Sequence, residues 1–157
     1  MALSERIERN VDLSYFEGKI PVNYVYTYGL GLENFFRSIK EKGEFLASKC
    51  PECETTYFPC KVFCERCFAE ITNNYKVPGT GIVESFTVCH LNMDGSKKET
   101  PAVVGLIRID GAEDCVFVHF LDISPEKAKI GMKVKPLLKR KQDRDGSIFD
   151  IVGFKPM

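Results

Sequence analysis

Four cysteines lie in two C-x2-C pairs, Cys50 with Cys53 and Cys64 with Cys67, and ten residues separate the pairs. Each pair turns the chain so that two sulfurs face one point, and two such knuckles supply a tetrahedral thiolate set that suits zinc. Because an all-cysteine site has no open position for water or substrate, we predict a structural zinc ion. Such an ion contributes about 10–16 kcal/mol of apparent binding energy to a segment too short to fold alone.

Three other interpretations of the cysteines stay open. They could pair as disulfides, although disulfides are rare in most cytosolic proteins. A C-x2-C can also be a redox pair, which usually stands alone between a strand and a helix. Four thiolates can hold a single iron ion, which would make the protein an electron carrier. Cys60, Cys89 and Cys115 lack a knuckle partner, and for the last two we expect buried apolar positions.

Composition limits the function classes. The 157 residues are 44% hydrophobic and 28% charged, which indicates a globular chain. The 22 basic residues equal the 22 acidic ones, which counts against a general nucleic-acid binder. The longest strongly apolar run, residues 102–107, is too short to span a bilayer. Since no secretory or lipidation signal is found, we expect a cytoplasmic protein without membrane association.

The N-terminal part carries helical patterns around an aromatic stretch. Residues 3–11 show a weak amphipathic pattern, and residues 22–28 alternate with tyrosines on one side, which predicts an extended arm. Apolar residues between 32 and 39 recur at i, i+3, i+4 and i+7 and predict a one-sided helix that Gly43 ends. Residues 44–49 then lead as a strand into the first knuckle.

A different pattern follows Pro78-Gly79-Thr80-Gly81, which marks a boundary. Five strand-like runs are separated by turn sequences: 81–91, 102–109, 114–121, 132–140 and 147–154. Ser124-Pro125 predicts a helix start between the third and fourth runs. This order predicts an OB-fold barrel, with SH3-type barrels as the main competitor. The fold class is therefore mainly β with N-terminal helices: a helical segment 1–43, a rubredoxin-like zinc ribbon 44–77 and a five-stranded OB barrel 78–157.

Joined together, these parts resemble the zinc-ribbon and OB-fold family long catalogued as domain of unknown function thirty-five. The segments that carry the resemblance are Cys50-Pro51-Glu52-Cys53, Tyr57-Phe58-Pro59, Cys64-Glu65-Arg66-Cys67, Gly79 and Gly81, Pro101-Ala102-Val103-Val104-Gly105-Leu106, Gly131-Met132-Lys133-Val134 and Phe154-Lys155-Pro156. The family commonly has glycine after each knuckle, where this chain has Glu54 and Phe68. Because a φ above zero is harder for these residues, the fine geometry of the knuckles is the point at which the resemblance is weakest.

The resemblance implies a function beside other enzymes. Members of the family are described as acyl-CoA-associated, and archaeal relatives resemble a bridging subunit between acetoacetyl-CoA thiolase and hydroxymethylglutaryl-CoA synthase. There the subunit helps to form a shared CoA channel. The implied protein is a non-catalytic accessory subunit that binds acyl-CoA and docks on thiolase-type enzymes.

The residues themselves offer no catalytic set. His90 and His119, the only histidines, lie in predicted strands, where a structural role is the commoner one. Asp94, Asp110 and Asp145 precede glycines and are typical of turns. The acyl-CoA ligand residues stay unassigned, and the basic candidates for its phosphates are Arg108, Lys133, Lys135, Lys139, Arg140 and Lys141.

The alternative function is that of an OB-fold module for single-stranded nucleic acid, in which a structural zinc ribbon accompanies the barrel. Phe86, Phe117 and Phe120 could stack on bases, although alternation along the strands predicts that several of them fill the barrel. The neutral overall charge makes nucleic acid the less favoured partner.

Overall fold

The structure is a computed structural model that describes Gly18, residues 25–92 and residues 94–157. A helix precedes a three-stranded sheet and a closed five-stranded barrel. The elements in chain order are α1 Gly29–Lys42, β1 Phe45–Lys49, β2 Thr56–Tyr57, β3 Asn74–Val77, β4 Gly81–Leu91, β5 Lys97–Ile109, β6 Ala112–Leu121, β7 Lys133–Leu138 and β8 Ile151–Pro156. This architecture confirms the predicted class, mainly β with a four-cysteine ribbon ahead of an OB-type barrel.

Helix α1 forms where the one-sided pattern predicts it. Phe35, Phe36 and Ile39 are buried on its apolar side. Gly43 ends the helix at φ 72°, and its N–H donates to the carbonyl oxygens of Ser38 and Ile39 at 3.1 and 2.9 Å. In the described part of the chain, no helix combines the length and apolar character needed to cross a membrane.

The predictions for the residues before α1 can be compared with the structure only in part. The helix predicted over residues 3–11 and the first part of the predicted arm, residues 22–24, lie outside the described residues. Residues 25–28 of the arm form no strand, and Tyr28 directly precedes α1 with φ −90° and ψ 8°, outside the extended region. The Tyr28 hydroxyl donates to the carbonyl oxygen of Gly146 at 3.4 Å, which ties the start of α1 to the loop before β8.

The barrel closes in the order β4-β5-β6-β8-β7, with β7 pairing back onto β4. This is the five-stranded closed arrangement predicted from the spacing of the strands. Gly81 lies at the closure point, where it pairs with both Ile109 and Val134. A Cβ on Gly81 would lie 2.2 Å from the Arg108 carbonyl oxygen, so the close approach of the two strands requires glycine.

Two connections of the barrel differ from the prediction. The helix expected between the third and fourth barrel strands is a single 3-10 turn, Pro125–Lys127, because Ala128 returns to extended backbone at φ −68° and ψ 131°. The fifth barrel strand begins at Ile151 rather than at residue 147, because Ile148–Asp150 form another 3-10 turn. Strands β4, β6 and β7 lie within two residues of the predicted runs, whereas β5 begins at Lys97, five residues before the predicted start at residue 102.

One apolar core joins α1, the small sheet and the barrel. Its link is Phe58, whose ring meets Phe35 of α1 at 5.2 Å and Phe117 of β6 at 5.1 Å between centroids, both edge-to-face. Phe117 in turn meets Phe154 of β8 at 6.1 Å. The helix and the cysteine ribbon therefore share their buried surface with the barrel.

Polar contacts hold the same joint. The backbone N–H and the hydroxyl of Thr56 in β2 both donate to the carboxylate of Asp114 in β6, each at 2.8 Å. Arg144, in the loop before β8, donates to the Ile39 carbonyl oxygen at 2.9 Å. That carbonyl belongs to the last turn of α1, where a cation is favourable to the helix dipole.

Candidate metal centre

The two knuckles have the same backbone geometry. In the first, the Cys50 N–H donates to the Thr55 carbonyl oxygen at 2.9 Å and the Glu54 N–H to the Cys50 carbonyl oxygen at 3.1 Å. The second knuckle, residues 64–69, repeats both hydrogen bonds at 2.9 and 3.0 Å. Each turn brings its two cysteines to the same side of the loop, as the spacing predicts.

The position after each knuckle takes a positive φ without glycine. Glu54 has φ 60° and Phe68 has φ 62°. An L-residue in this left-handed region costs about 1–2 kcal/mol relative to the right-handed one. The knuckles therefore keep the geometry that glycine favours, at a cost in backbone strain. Phe68 is in addition 80% exposed, so its ring gains little from burial.

The four knuckle sulfurs converge. All four Sγ atoms of Cys50, Cys53, Cys64 and Cys67 lie within 4.8 Å of one another. Three of the separations, Cys50 to Cys67, Cys53 to Cys64 and Cys53 to Cys67, are 3.4, 3.5 and 3.7 Å. Zinc–sulfur bonds of about 2.3 Å in a tetrahedron require sulfurs about 3.8 Å apart. The cluster therefore fits a zinc ion held by four thiolates.

Tyr57 supports the cluster from beneath, a contact that the sequence analysis did not identify. Its buried hydroxyl accepts a hydrogen bond from the Glu65 N–H at 3.1 Å and lies 3.1 Å from the Cys64 sulfur. The hydrogen bond between this hydroxyl and the sulfur lowers the pKa of the Cys64 thiol to about 5. A tyrosine seven residues before the third cysteine was the available signal.

The other cysteines lie apart from the cluster. Cys60 is buried and donates its thiol to the Gly31 carbonyl oxygen at 3.2 Å, and burial raises the pKa of this thiol to about 11. Cys115 is half-buried, and its sulfur accepts from the Phe58 N–H at 3.0 Å. Cys89 is half-buried on β4. The buried positions expected for Cys89 and Cys115 are therefore only half-buried in the structure.

The two histidines lie in strands, as predicted. His90 is exposed near the end of β4. His119 is half-buried on β6, where its ring stacks on Phe117 at 5.6 Å and its Nδ1 accepts from the Phe120 N–H at 2.9 Å. Burial lowers the pKa of His119, which favours the neutral ring. These contacts fit a structural role for His119.

The basic candidates for phosphate contacts are spread over the barrel. Arg108 and Arg140 are each paired with a carboxylate, at 3.0 and 2.8 Å. The Lys139 Nζ lies 4.0 Å from the carboxylate of the buried Asp150. The exposed lysines of this set are Lys133, Lys135 and Lys141.

The three phenylalanines considered for base stacking differ in how far they are buried. Phe117 is buried in the shared core, Phe86 packs half-buried against it and Phe120 is exposed on the outside. Of the three, only Phe117 is buried, so the prediction that several of them fill the barrel holds fully for one residue and in part for Phe86.

A four-cysteine ribbon that fits zinc, followed by a closed OB barrel, defines a zinc-ribbon and OB-fold protein. Two family models match the corresponding parts of the chain: the rubredoxin-like zinc ribbon domain of ChsH2 over residues 37–72 and the C-terminal OB-fold domain of ChsH2 over residues 75–139. The chain belongs to the family of DUF35 domain-containing scaffold proteins. It is 32% identical over 130 residues to the member from Methanocaldococcus jannaschii, across 78% of this chain and 88% of that relative.

Other relatives and solved structures are also DUF35 proteins. The DUF35 domain-containing scaffold protein of Methanothermobacter thermautotrophicus is 28% identical over 125 residues, across 77% of this chain and 92% of the relative. A solved DUF35 protein of unknown function from Sulfolobus solfataricus superposes with a TM-score of 0.61 at 25% sequence identity. The match covers 82% of this chain and 87% of the Sulfolobus chain. A chain of the solved Ltp2–ChsH2(DUF35) aldolase superposes with a TM-score of 0.56 at 25% sequence identity. The match covers 78% of this chain and 91% of that chain.

These similarities confirm the predicted family, and the zinc ribbon match together with the sulfur cluster confirms the predicted structural zinc. The relatives from Methanocaldococcus jannaschii and Methanothermobacter thermautotrophicus are named scaffold proteins, which supports a scaffold or accessory role.

Proposed function

We propose that this chain is a non-catalytic accessory subunit that binds acyl-CoA and docks on thiolase-type enzymes. Acetoacetyl-CoA thiolase and hydroxymethylglutaryl-CoA synthase are the proposed partners, and the chain would help to form a CoA channel that they share.

The observation that carries the proposal is membership, over about three quarters of the chain, of a family whose curated members are scaffold proteins. The solved relative described as the Ltp2–ChsH2(DUF35) aldolase names a DUF35 protein together with Ltp2. The metal centre agrees with a role without catalysis, because four thiolates leave zinc no open position at which to bind or polarise a substrate.

The proposal includes the ligand set of the zinc ion, namely Cys50, Cys53, Cys64 and Cys67. Cys60 offers a matched control, because it lies in the same ribbon and is buried but donates its thiol to a backbone carbonyl instead. We expect Cys64→Ser to lose zinc and Cys60→Ser to keep one zinc per chain, as measured by elemental analysis of purified protein. Full zinc content in Cys64→Ser would refute this ligand set.

The partner is tested by affinity purification of the tagged full chain from its source organism at moderate salt, followed by quantitative mass spectrometry. We expect a thiolase or hydroxymethylglutaryl-CoA synthase in amounts comparable to the bait. Calorimetric titration of the recovered complex with acetoacetyl-CoA then tests the binding of the thioester.

Recovery of nucleic acid or of its processing proteins, with no thiolase-type enzyme, would replace this proposal with the nucleic-acid alternative. Oligonucleotide binding that weakens steeply with salt would support that alternative independently, because contacts to phosphates release counterions.

A further inference from the structure

A buried hydroxyl reaches the sulfur cluster from the strand that follows the first knuckle. Tyr57 lies in β2 and pairs with Ser48 of β1, so the small sheet fixes its backbone. The Tyr57 residue is 6% exposed, and its hydroxyl oxygen lies 3.1 Å from the Sγ atom of Cys64 in the second knuckle. One side chain therefore links the sheet to the metal centre.

Two contacts fix the Tyr57 side chain in this position. The backbone N–H of Glu65 donates to the Tyr57 hydroxyl oxygen at 3.1 Å. The ammonium group of Lys61 lies over the ring, with its Nζ atom 5.0 Å from the ring centroid. The second knuckle itself thus holds the hydroxyl against the cluster, because a rotation away from Cys64 would also break the bond from Glu65.

The zinc-loaded state decides the direction of the hydrogen bond between Tyr57 and Cys64. A cysteine sulfur binds zinc as a thiolate, which has no proton to donate. In that state the hydroxyl is the donor to the Cys64 sulfur, while its oxygen accepts from the Glu65 N–H. A hydrogen bond to an ionised acceptor is charge-assisted and is about twice as strong as one between neutral groups.

The Cys64 sulfur also accepts from the backbone. The N–H groups of Arg66 and Cys67 both donate to it, at 3.4 Å each. With the Tyr57 hydroxyl, three donors converge on a residue that is 1% exposed. Because water has almost no access to a sulfur buried in this way, groups of the protein must stabilise its negative charge.

The first knuckle provides a comparison within the same chain. The Thr55 hydroxyl oxygen lies 3.2 Å from the Sγ atom of Cys53, which is the same kind of contact. Cys53, however, is only half-buried. Water can therefore replace a lost hydroxyl at Cys53 but not at Cys64, so the Thr55 hydroxyl should matter less than the Tyr57 hydroxyl.

We propose that Tyr57 is a positioning residue of the zinc centre, whose hydroxyl holds the Cys64 thiolate in place as a ligand. Zinc affinity then depends on this hydroxyl and not only on the packing of the ring. This inference rests on the ligand set given under the proposed function and is independent of the identity of the partner enzyme.

The test measures the zinc affinity of full-length variants by competition with a chromogenic chelator. Tyr57→Phe keeps the ring and removes only the hydroxyl. We expect its zinc dissociation constant to rise about 10–100-fold, the usual effect of losing a group that hydrogen-bonds to a metal ligand. Thr55→Val should raise the constant by less than about threefold, because water replaces the lost hydroxyl.

Tyr75→Phe is the matched control. Tyr75 lies in β3 of the same small sheet, and its hydroxyl donates to the Gly111 carbonyl oxygen at 2.7 Å instead of to a sulfur. The variant makes the same chemical change and also loses one hydrogen bond, but it should bind zinc as tightly as the wild type.

Substitution of zinc by cobalt separates a hydrogen bond to sulfur from a general loosening of the ribbon. The sulfur-to-cobalt charge-transfer band depends on the electron density of the sulfurs, which outer hydrogen bonds lower. Loss of a donor raises that density, so the band of Tyr57→Phe should move to longer wavelength. The d–d bands, which report the tetrahedral geometry, should stay in place. If Tyr57 acts through packing alone, the charge-transfer band will not move.

A more conservative change keeps the test valid if Tyr57→Phe misfolds, which circular dichroism would show. Site-specific replacement of Tyr57 by a tyrosine with fluorine next to the hydroxyl keeps the hydrogen bond and makes the hydroxyl a stronger donor, because fluorine withdraws electron density from the ring. The charge-transfer band should then move to shorter wavelength. An unmoved band would overturn the inference.

The outcomes separate this inference from the proposed function. Full zinc content in Cys64→Ser refutes the ligand set, and the role of Tyr57 falls with it. Loss of zinc in Cys64→Ser together with wild-type affinity in Tyr57→Phe refutes the role of Tyr57 alone. Equal losses of affinity in Tyr57→Phe and Tyr75→Phe would assign the effect to the stability of the small sheet and overturn the inference as well. Failure to recover a thiolase-type enzyme refutes the proposed partner and leaves the role of Tyr57 standing.

Discussion

Replacing Phe58 with alanine tests whether the metal ribbon and the barrel unfold as one unit. Phe58 is 4% exposed, and its ring touches Phe35, Phe45 and Phe117 at centroid distances of 5.2, 5.9 and 5.1 Å. These partners belong to α1, β1 and β6, so the cavity left by alanine is bounded by three separate elements. Arg144 and Asp114 hold the same joint through hydrogen bonds, which limits how far the walls can close.

The expected cost follows from this geometry. Removing a buried phenylalanine ring costs about 3–5 kcal/mol, and more when the site cannot collapse. We therefore expect a loss of about 4 kcal/mol, a large part of the roughly 5–15 kcal/mol that stabilises a typical domain. At an m-value of about 2 kcal/mol/M, the urea midpoint falls by about 2 M.

Two probes follow the two halves of the molecule in the same titration. A chromogenic chelator reports zinc release from the ribbon, and hydrogen exchange detected by mass spectrometry reports the amides of β6. With one shared core, both transitions move together to lower urea. Phe63→Ala is the matched control, because Phe63 lies in the same ribbon but is exposed, and it should change stability by less than about 0.5 kcal/mol. A β6 transition that stays in place while zinc release shifts would refute the reasoning.

Three further predictions concern backbone strain, a buried carboxylate and a buried thiol. Glu54→Gly and Phe68→Gly should each stabilise the zinc-loaded protein by about 1 kcal/mol in urea titration, because glycine relieves the positive φ. Asp150→Asn should cost about 2 kcal/mol, because charge-assisted hydrogen bonds to two backbone N–H groups are lost. Burial raises the pKa of Cys60 from 9.0 to about 11, so its contribution to stability is complete below about pH 9 and is lost as the pH rises toward 11. In Cys60→Ala the urea midpoint should fall less over that range.

Each of these has a result that contradicts it. A glycine variant that loses stability would mean that the knuckle φ angles carry no strain. Unchanged stability in Asp150→Asn would mean that the loop before β8 is not held by the charge of that carboxylate. A Cys60→Ala variant whose midpoint falls with pH as steeply as the wild type would remove the role of this thiol.

The cysteine spacing and the strand spacing predicted most of the architecture. Two C-x2-C pairs can converge only if both turn toward the same point, and the alternation of barrel residues is a local property that the sequence carries directly. The boundaries 1–43, 44–77 and 78–157 stay a prediction. The core shared across the second of these boundaries was not foreseen, because the contact of Phe58 with Phe117 joins residues 59 positions apart and leaves no local periodicity.

The predictions that the structure contradicts, and the contact that was missed, have local physical causes. Ser124-Pro125 is a helix-start signal, but Ala128 returns to extended backbone after one turn. Strand β8 starts later than predicted because the turn before it is held by Asp150. The sequence pattern shows turn residues there but does not reveal that the Asp150 side chain is buried. The support of the Cys64 sulfur by Tyr57 was also missed, since one tyrosine near a knuckle has no periodicity of its own.

The aromatic contacts from Phe35 through Phe58 and Phe117 to Phe154 make the molecule a spacer of fixed length. Only residues 78–80 separate β3 from β4, so no flexible linker lies between the ribbon and the barrel. A tethered pair of modules holds two partners at an effective concentration set by the linker, whereas a rigid body holds them at one distance and one orientation. If the proposed function is correct, a chain built in this way would determine how its two enzyme partners face each other, and not merely that both are present.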